Sequence, residues 1–169
     1  MIENIILSIQ NSLQDFDPSS KVWVYFGDRK LTEQESSEVY ESVQAFCAQW
    51  TSHGSEVKAS GFVVLDQIIV LVADIAKSSV SGCSTDSSVR FIQGLGSKYQ
   101  LNFMSRDLYY LAQNEIKSCD LSNVAAQINP KTIVFNPFFL DLSDFYTHFA
   151  VEANHSKYKR FFQRIDRSF

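Results

Sequence analysis

The sequence predicts an α+β fold: a single domain over residues 1–169, with a mostly antiparallel sheet of about five strands and helices packed on it. Three observations point there. Short β-branched and aromatic runs lie close together in pairs, the pattern of hairpins. Amphipathic segments of 3.6-residue periodicity fall between those pairs. No repeat and no long linker divides the chain, whose length suits one core of about 100–200 residues.

Ile2, Ile5, Ile6, Ile9 and Leu13 share one helical face, predicting an amphipathic helix over 2–14 that Pro18 and its polar neighbours end. Lys21–Phe26 reads as a strand closed by Gly27-Asp28. Thr32 and Glu35 make a capping box, because hydroxyl and carboxylate each satisfy an orphan amide of a helix start. The helix that follows buries Val39, Val43, Phe46, Cys47 and Trp50, and Gly54 is placed to end it as a C′ glycine. Residues 57–65 and 68–73 predict two strands joined at Asp66-Gln67, both apolar on two faces and therefore central.

A Ser-rich loop over 77–85 leads into a helix over about 86–95, stopped by Gly94 and Gly96. Residues 108–112 and 115–118 predict a second hairpin about Gln113-Asn114. Asp120 is placed to cap a short helix over 121–128, and 132–135 is a strand ended by Asn136-Pro137. The last helix is expected over about 143–168. Tyr158, Phe161, Phe162, Ile165 and Phe169 would form its apolar stripe, and Lys157, Arg160, Arg164 and Arg167 its basic one.

Composition excludes several classes. A hydrophobic fraction of 45% is too high for a disordered chain. The three cysteines, Cys47, Cys83 and Cys119, are widely spaced with no C-x-x-C, which argues against a disulfide framework or zinc ribbon and suits a reducing compartment. Met1-Ile2-Glu3-Asn4 lacks the basic start of a signal peptide, and the longest apolar stretch, 61–73, is broken by Asp66 and Gln67. That is well short of the ~20 residues a membrane helix needs. A cytoplasmic protein without membrane contact is expected. The net charge is −4, yet residues 155–169 carry +4, so a basic element docked on an acidic body is the simplest reading. The negative balance, with the tail's aromatics at core spacing, disfavours nucleic acid.

The most informative stretch is Ser81-Gly82-Cys83-Ser84-Thr85-Asp86-Ser87-Ser88. Glycine and hydroxyls at a helix start leave main-chain N–H groups pointing outward, a setting suited to an anion. A cysteine there feels the positive end of the helix dipole, which favours thiolate. The plainer alternative is that Ser84 or Thr85 caps the helix, Asp86 supports its first turn beside Arg90, and Cys83 is a small core residue. His53 falls at the expected end of a helix, where imidazolium is favoured; brought to Cys83 it would form a thiolate–imidazolium couple, and otherwise it is an exposed capping histidine. A phosphatase loop needs arginine six positions after its cysteine, and Val89 stands there. No G-x-x-x-x-G-K-[ST], G-x-G-x-x-G or G-x-S-x-G string occurs, which excludes P-loop nucleotide hydrolysis. His148 and His155, seven apart, would lie about 10 Å apart on one helix, too far for one metal ion.

Val22-Trp23-Val24-Tyr25, Phe46 with Trp50-x-x-His53-Gly54, Ser81-Gly82-Cys83-Ser84-x-Asp86-Ser87-Ser88-Val89-Arg90-Phe91-Ile92, Asp107 to Tyr110, and Ile133-Val134-Phe135-Asn136-Pro137 together resemble a family of short uncharacterised bacterial proteins. Its members often carry the label ABC transporter ATPase. The missing Walker A and signature motifs contradict that label here, and the resemblance implies a cytoplasmic protein with no catalytic residue to carry over.

The expected site is therefore residues 81–88. Ser81, Gly82, Ser84, Thr85, Asp86 and Arg90 would bind a small anionic ligand, and Cys83 with His53 would serve a thiol-dependent enzyme. A third reading is a protein-interaction or assembly subunit with a protein partner or a second copy of itself. No metal and no cofactor is called for.

Overall fold

The computed structural model describes residues 1–76 and 82–163, the side chains of 82–84 excepted. The chain is α+β with antiparallel pairing throughout, but the strands do not form one sheet of five. Among the described residues they divide into sheets of three, two and four strands. The residues gather into two compact units, one of Met1–Ser105 with Pro137–Thr147 and one of Arg106–Asn136 with the residues from His148 on.

The first unit opens with α1 (Ile2–Ser12), whose Ile9 and the following Leu13 are buried, as the isoleucine spacing predicts. β1 (Lys21–Phe26) follows, and then α2 (Glu33–Gln49). The Thr32 hydroxyl accepts from Glu35 N at 3.2 Å while the Glu35 carboxylate accepts from Thr32 N at 2.9 Å, so both halves of the capping box form. Val39, Val43 and Cys47 on α2 are buried.

Trp50 is extended, and His53 and Gly54 do not end the helix. They are the two central residues of a tight hairpin between β2 (Thr51–Ser52) and β3 (Ser55–Glu56), with φ 51° and 79°. Two consecutive positive φ values define the type I′ turn that matches strand twist, and glycine meets that need. The helix-end expectation for His53 is thereby corrected.

β4 (Ala59–Val64) and β5 (Ile68–Ala73) form the expected hairpin, turning at Leu65 and Asp66, both at φ 54°, one residue earlier than Asp66-Gln67. The sheet order is β1-β5-β4. Only β5 is central, and all six of its residues are buried; β4, read from its composition as central, is an edge strand. Trp23, Tyr25, Ile69 and Leu71 belong to one face of this sheet and share a core with α2 and the third helix.

α3 (Gly82–Tyr99) is longer than the helix expected over 86–95. Gly94 and Gly96 lie inside it. A Cβ at Gly94 meets nothing within 4 Å, so that glycine costs propensity without blocking the helix. Gln100 takes the left-handed position at φ 55°, and Leu101 N returns to the Gly96 carbonyl at 2.9 Å. This is a Schellman-type ending, with glutamine where glycine is usual. Arg29 seals the same end: it holds Glu35 with both guanidinium nitrogens at 2.8 and 2.9 Å and donates to the Tyr99 carbonyl at 2.6 Å.

In the second unit β6 (Leu108–Ala112) and β7 (Glu115–Cys119) turn at Gln113 and Asn114, φ 52° and 65°, as expected. Asp120 accepts from Ser122 N at 2.8 Å and opens a 3-10 turn that passes into α4 (Val124–Gln127). β8 (Ile133–Phe135) pairs with β6 and with β9 (Ala150–Glu152).

The long helix expected over 143–168 does not form. α5 spans Leu142–His148, β9 follows, and two 3-10 turns cover Ala153–His155 and Lys157–Phe161. Ala150–Glu152 finds a strand partner in β8, and pairing outweighs the helical pattern. Tyr158 is buried against Leu108, Val124 and Val134, with Phe161 and Phe162 half-buried on the same core. Tyr158, Phe161 and Phe162 thus take the expected core role, at a 3-10 turn rather than on a long α-helix. Ile165, Phe169, Arg164 and Arg167 lie outside the described residues.

Candidate functional site

Helix α3 determines what the 81–88 segment can do. It begins at Gly82, so Thr85 and Asp86 lie within its first turns rather than at its cap, and no acid sits in the first turn. Its four leading amides have no acceptor within the helix. Ser88 points inward: it is fully buried, its hydroxyl donates to the Thr85 carbonyl at 2.7 Å, and it hydrogen-bonds the Tyr25 side chain. Burial raises the Tyr25 pKa, and the Ser88 bond offsets part of that rise. Asp86 and Arg90 are exposed. Ser81 and the side chains of Gly82, Cys83 and Ser84 lie outside the described residues.

Strand β2 packs alongside α3. The short hairpin carrying His53 is therefore a neighbour of the helix carrying Cys83, although His53 itself is exposed at the hairpin tip. Between α2, α3 and β1 runs a ladder of aromatics. Trp23 meets Trp50 at 5.4 Å, Trp50 meets Phe46 at 5.0 Å, and Phe46 stacks on Phe91 at 4.3 Å and 6°. Trp23, Tyr25, Phe46 and Phe91 remain half-buried. Such stacked and tilted pairs add about 0.5–1.5 kcal/mol each beyond their area.

A polar corner that the sequence reading missed lies at the end of β5. Asp74 is 1% exposed. Its carboxylate accepts from Ala76 N at 3.0 Å and Asp17 N at 3.4 Å and faces Lys58 Nζ at 3.7 Å. Lys58 also meets Asp15 at 3.0 Å, donates to the Asp15 carbonyl, and lies over the Phe16 ring at 4.6 Å. The signal available in the sequence was an acid directly after six apolar strand residues, since a carboxylate there must be paired. Among the described residues no three His, Cys, Asp or Glu side chains are placed to hold a metal ion. His148, at the end of α5, and His155, in a 3-10 turn, do not share a helix.

Two cysteines serve as core. Cys47 is buried and its thiol is pushed up to about 11 by desolvation. Cys119 is buried in the second unit, its thiol raised by burial first and by Asp107 and Asp120 next.

One open cleft of about 410 Å³ runs along β1, lined by Lys21, Trp23 and Tyr25 on one side and Pro137–Leu140 on the other. Phe138 and Leu140 beside it are 81% and 90% exposed. Among the described residues no helix is long and apolar enough to cross a membrane. No family model, curated protein or solved structure matches the chain.

Proposed function

We propose that the chain binds a small anionic ligand at the start of α3, centred on residues 81–88. The observation that carries this reading is an 18-residue helix opening at Gly82 with no acid in its first turn, beside the hairpin of β2 and β3. Main-chain N–H groups there attract negative charge, and the dipole adds to that attraction. The described side chains are consistent with a main-chain site: Ser88 is spent inside the fold, and Arg90 is an exposed cation in the N-terminal half of the same helix. The test is thermal unfolding with phosphate, sulfate and short carboxylates, on the native chain and on Ser84→Glu. A glutamate in the first turn raises the midpoint without ligand and abolishes the shift that the anion produces. Absence of any shift at tenfold-millimolar anion overturns the reading.

A second reading, an assembly subunit, is favoured by the cleft along β1. Among the described residues β5 alone pairs with β1, and Phe138 and Leu140 stand exposed beside the cleft along β1. An open strand edge with apolar flanks is a docking surface for extended chain. Sedimentation of the native chain against Phe138→Ser/Leu140→Ser decides it. A monomer at every concentration, unchanged by the substitutions, removes the assembly reading.

A further inference from the structure

The second unit displays a cationic rim that neither reading uses. Ala153 N donates to the Thr132 carbonyl and Asn154 N to the Pro130 carbonyl, both at 2.9 Å, fastening the turn that carries Lys131 to the 3-10 turn that carries His155. The next turn, Lys157–Phe161, is anchored by buried Tyr158 and by Ser156, whose hydroxyl accepts from Tyr158 N at 3.0 Å and donates to the Ala153 carbonyl at 2.8 Å. Anchoring the aromatics leaves Lys131, Lys157, Lys159 and Arg160 exposed on fixed backbone.

Elsewhere among the described residues five cations are matched, while Lys21, Arg90 and Arg106 stand singly without a carboxylate. Arg29, Lys30, Lys58, Lys98 and Lys117 each have a carboxylate within 4 Å. Among the described residues Lys131, Lys159 and Arg160 have none. The acid at this rim is Glu152, 4.0 Å from His155. Partial burial and then the Arg160 charge lower the Lys157 pKa, so the cations crowd one another.

We propose that this rim docks an acidic segment of a partner protein. The aromatics choose between polyanions. Tyr158 is 4% exposed and Phe161 and Phe162 are half-buried on the core, so the described aromatics of this rim offer little ring face for stacking bases of single-stranded nucleic acid. A net charge of −4 further disfavours a long polyanion. A short carboxylate-rich peptide needs only the rim.

Fluorescence anisotropy of a labelled Glu-rich octapeptide, with a 20-nucleotide RNA in single-stranded and duplex form as competitors, tests the proposal on the full chain. Peptide affinity should fall about tenfold between low and physiological salt. It should fall at least about tenfold more in Lys131→Glu/Lys159→Glu/Arg160→Glu, with the melting midpoint unchanged. If that variant unfolds, Lys159→Gln/Arg160→Gln, which removes charge without reversing it, should still weaken binding several-fold. No binding of the peptide, binding by the folded variants equal to that of the native chain, or tighter binding of either RNA overturns the proposal.

Discussion

Gly61 of β4 lies so close to Val43 of α2 that a Cβ added to the glycine would sit 2.3 Å from Val43 Cγ1 and 3.2 Å from Cys47 Sγ. Val43 is fully buried, which leaves its branched side chain little room to move away. The absent side chain is what lets the helix settle on an edge strand. Gly61→Ala should therefore destabilise the chain by about 1–3 kcal/mol, measured by urea unfolding. In the Val43→Ala background the same change should cost clearly less, because the two share one volume. Additive losses would mean that helix and strand do not meet at this point.

The capping box gives a pH-dependent contribution with a definite sign. The Arg29 guanidinium, followed by the Thr32 amide, holds the Glu35 carboxyl down to about 2, below its ordinary 4.5. A depressed folded-state pKa adds stability that is fully present above the unfolded value and is lost as pH falls. The contribution thus holds above about 4.5 and disappears toward pH 2. Arg29→Ala should flatten this acid limb and leave the behaviour from pH 6 to 8 unchanged in slope. Urea midpoints between pH 2 and 7 check it; parallel curves for the two proteins would exclude the pair as the cause.

Local signals were legible in the sequence wherever one physical rule decides. Thr32 and Glu35 satisfy each other's amides, and the structure contains both bonds. Gln113-Asn114 turns a hairpin because asparagine tolerates positive φ. The errors arose where two rules compete. Residues 143–168 carry a helical stripe, but Ala150–Glu152 gains a strand partner in β8 that periodicity cannot see. Gly94 and Gly96 look like stops, yet Gln100 supplies the left-handed residue that ends α3. Buried Asp74 is marked by the apolar run before it, but its partner Lys58, 16 residues away, is marked by no local pattern. The 81–88 segment was visible as composition, while the depth of Ser88 depends on its bonds to Thr85 and Tyr25, which only the packing shows.

Thiol chemistry should separate the three cysteines. Cys47, pushed up to about 11, is almost wholly thiol near pH 8, and Cys119 is raised in the same direction and buried. A thiol at about 11 is roughly 0.1% thiolate at pH 8, against roughly a quarter for an ordinary cysteine. Brief alkylation of the native protein followed by peptide mass mapping should modify Cys83 first, with Cys47 and Cys119 labelled only after unfolding. Equal labelling of all three would contradict the buried placement of the other two. An apparent pKa for Cys83 at or above the ordinary 8.5 would count against the thiol-enzyme reading.

The hairpin tip separates a structural role for His53 from a chemical one. His53 and Gly54 hold φ 51° and 79°, and nothing lies within 4 Å of the site of a Gly54 Cβ. Space is therefore free at Gly54, and only backbone conformation opposes a side chain there. Gly54→Ala should cost about 1 kcal/mol through that conformation alone. His53→Asn should leave stability within about 0.5 kcal/mol, since asparagine accepts the left-handed region readily. The same asparagine removes a titratable base without disturbing the turn. If His53 acts on Cys83, the pH profile of Cys83 alkylation must shift in this variant; an unchanged profile, with the fold intact by circular dichroism, assigns His53 to the turn alone.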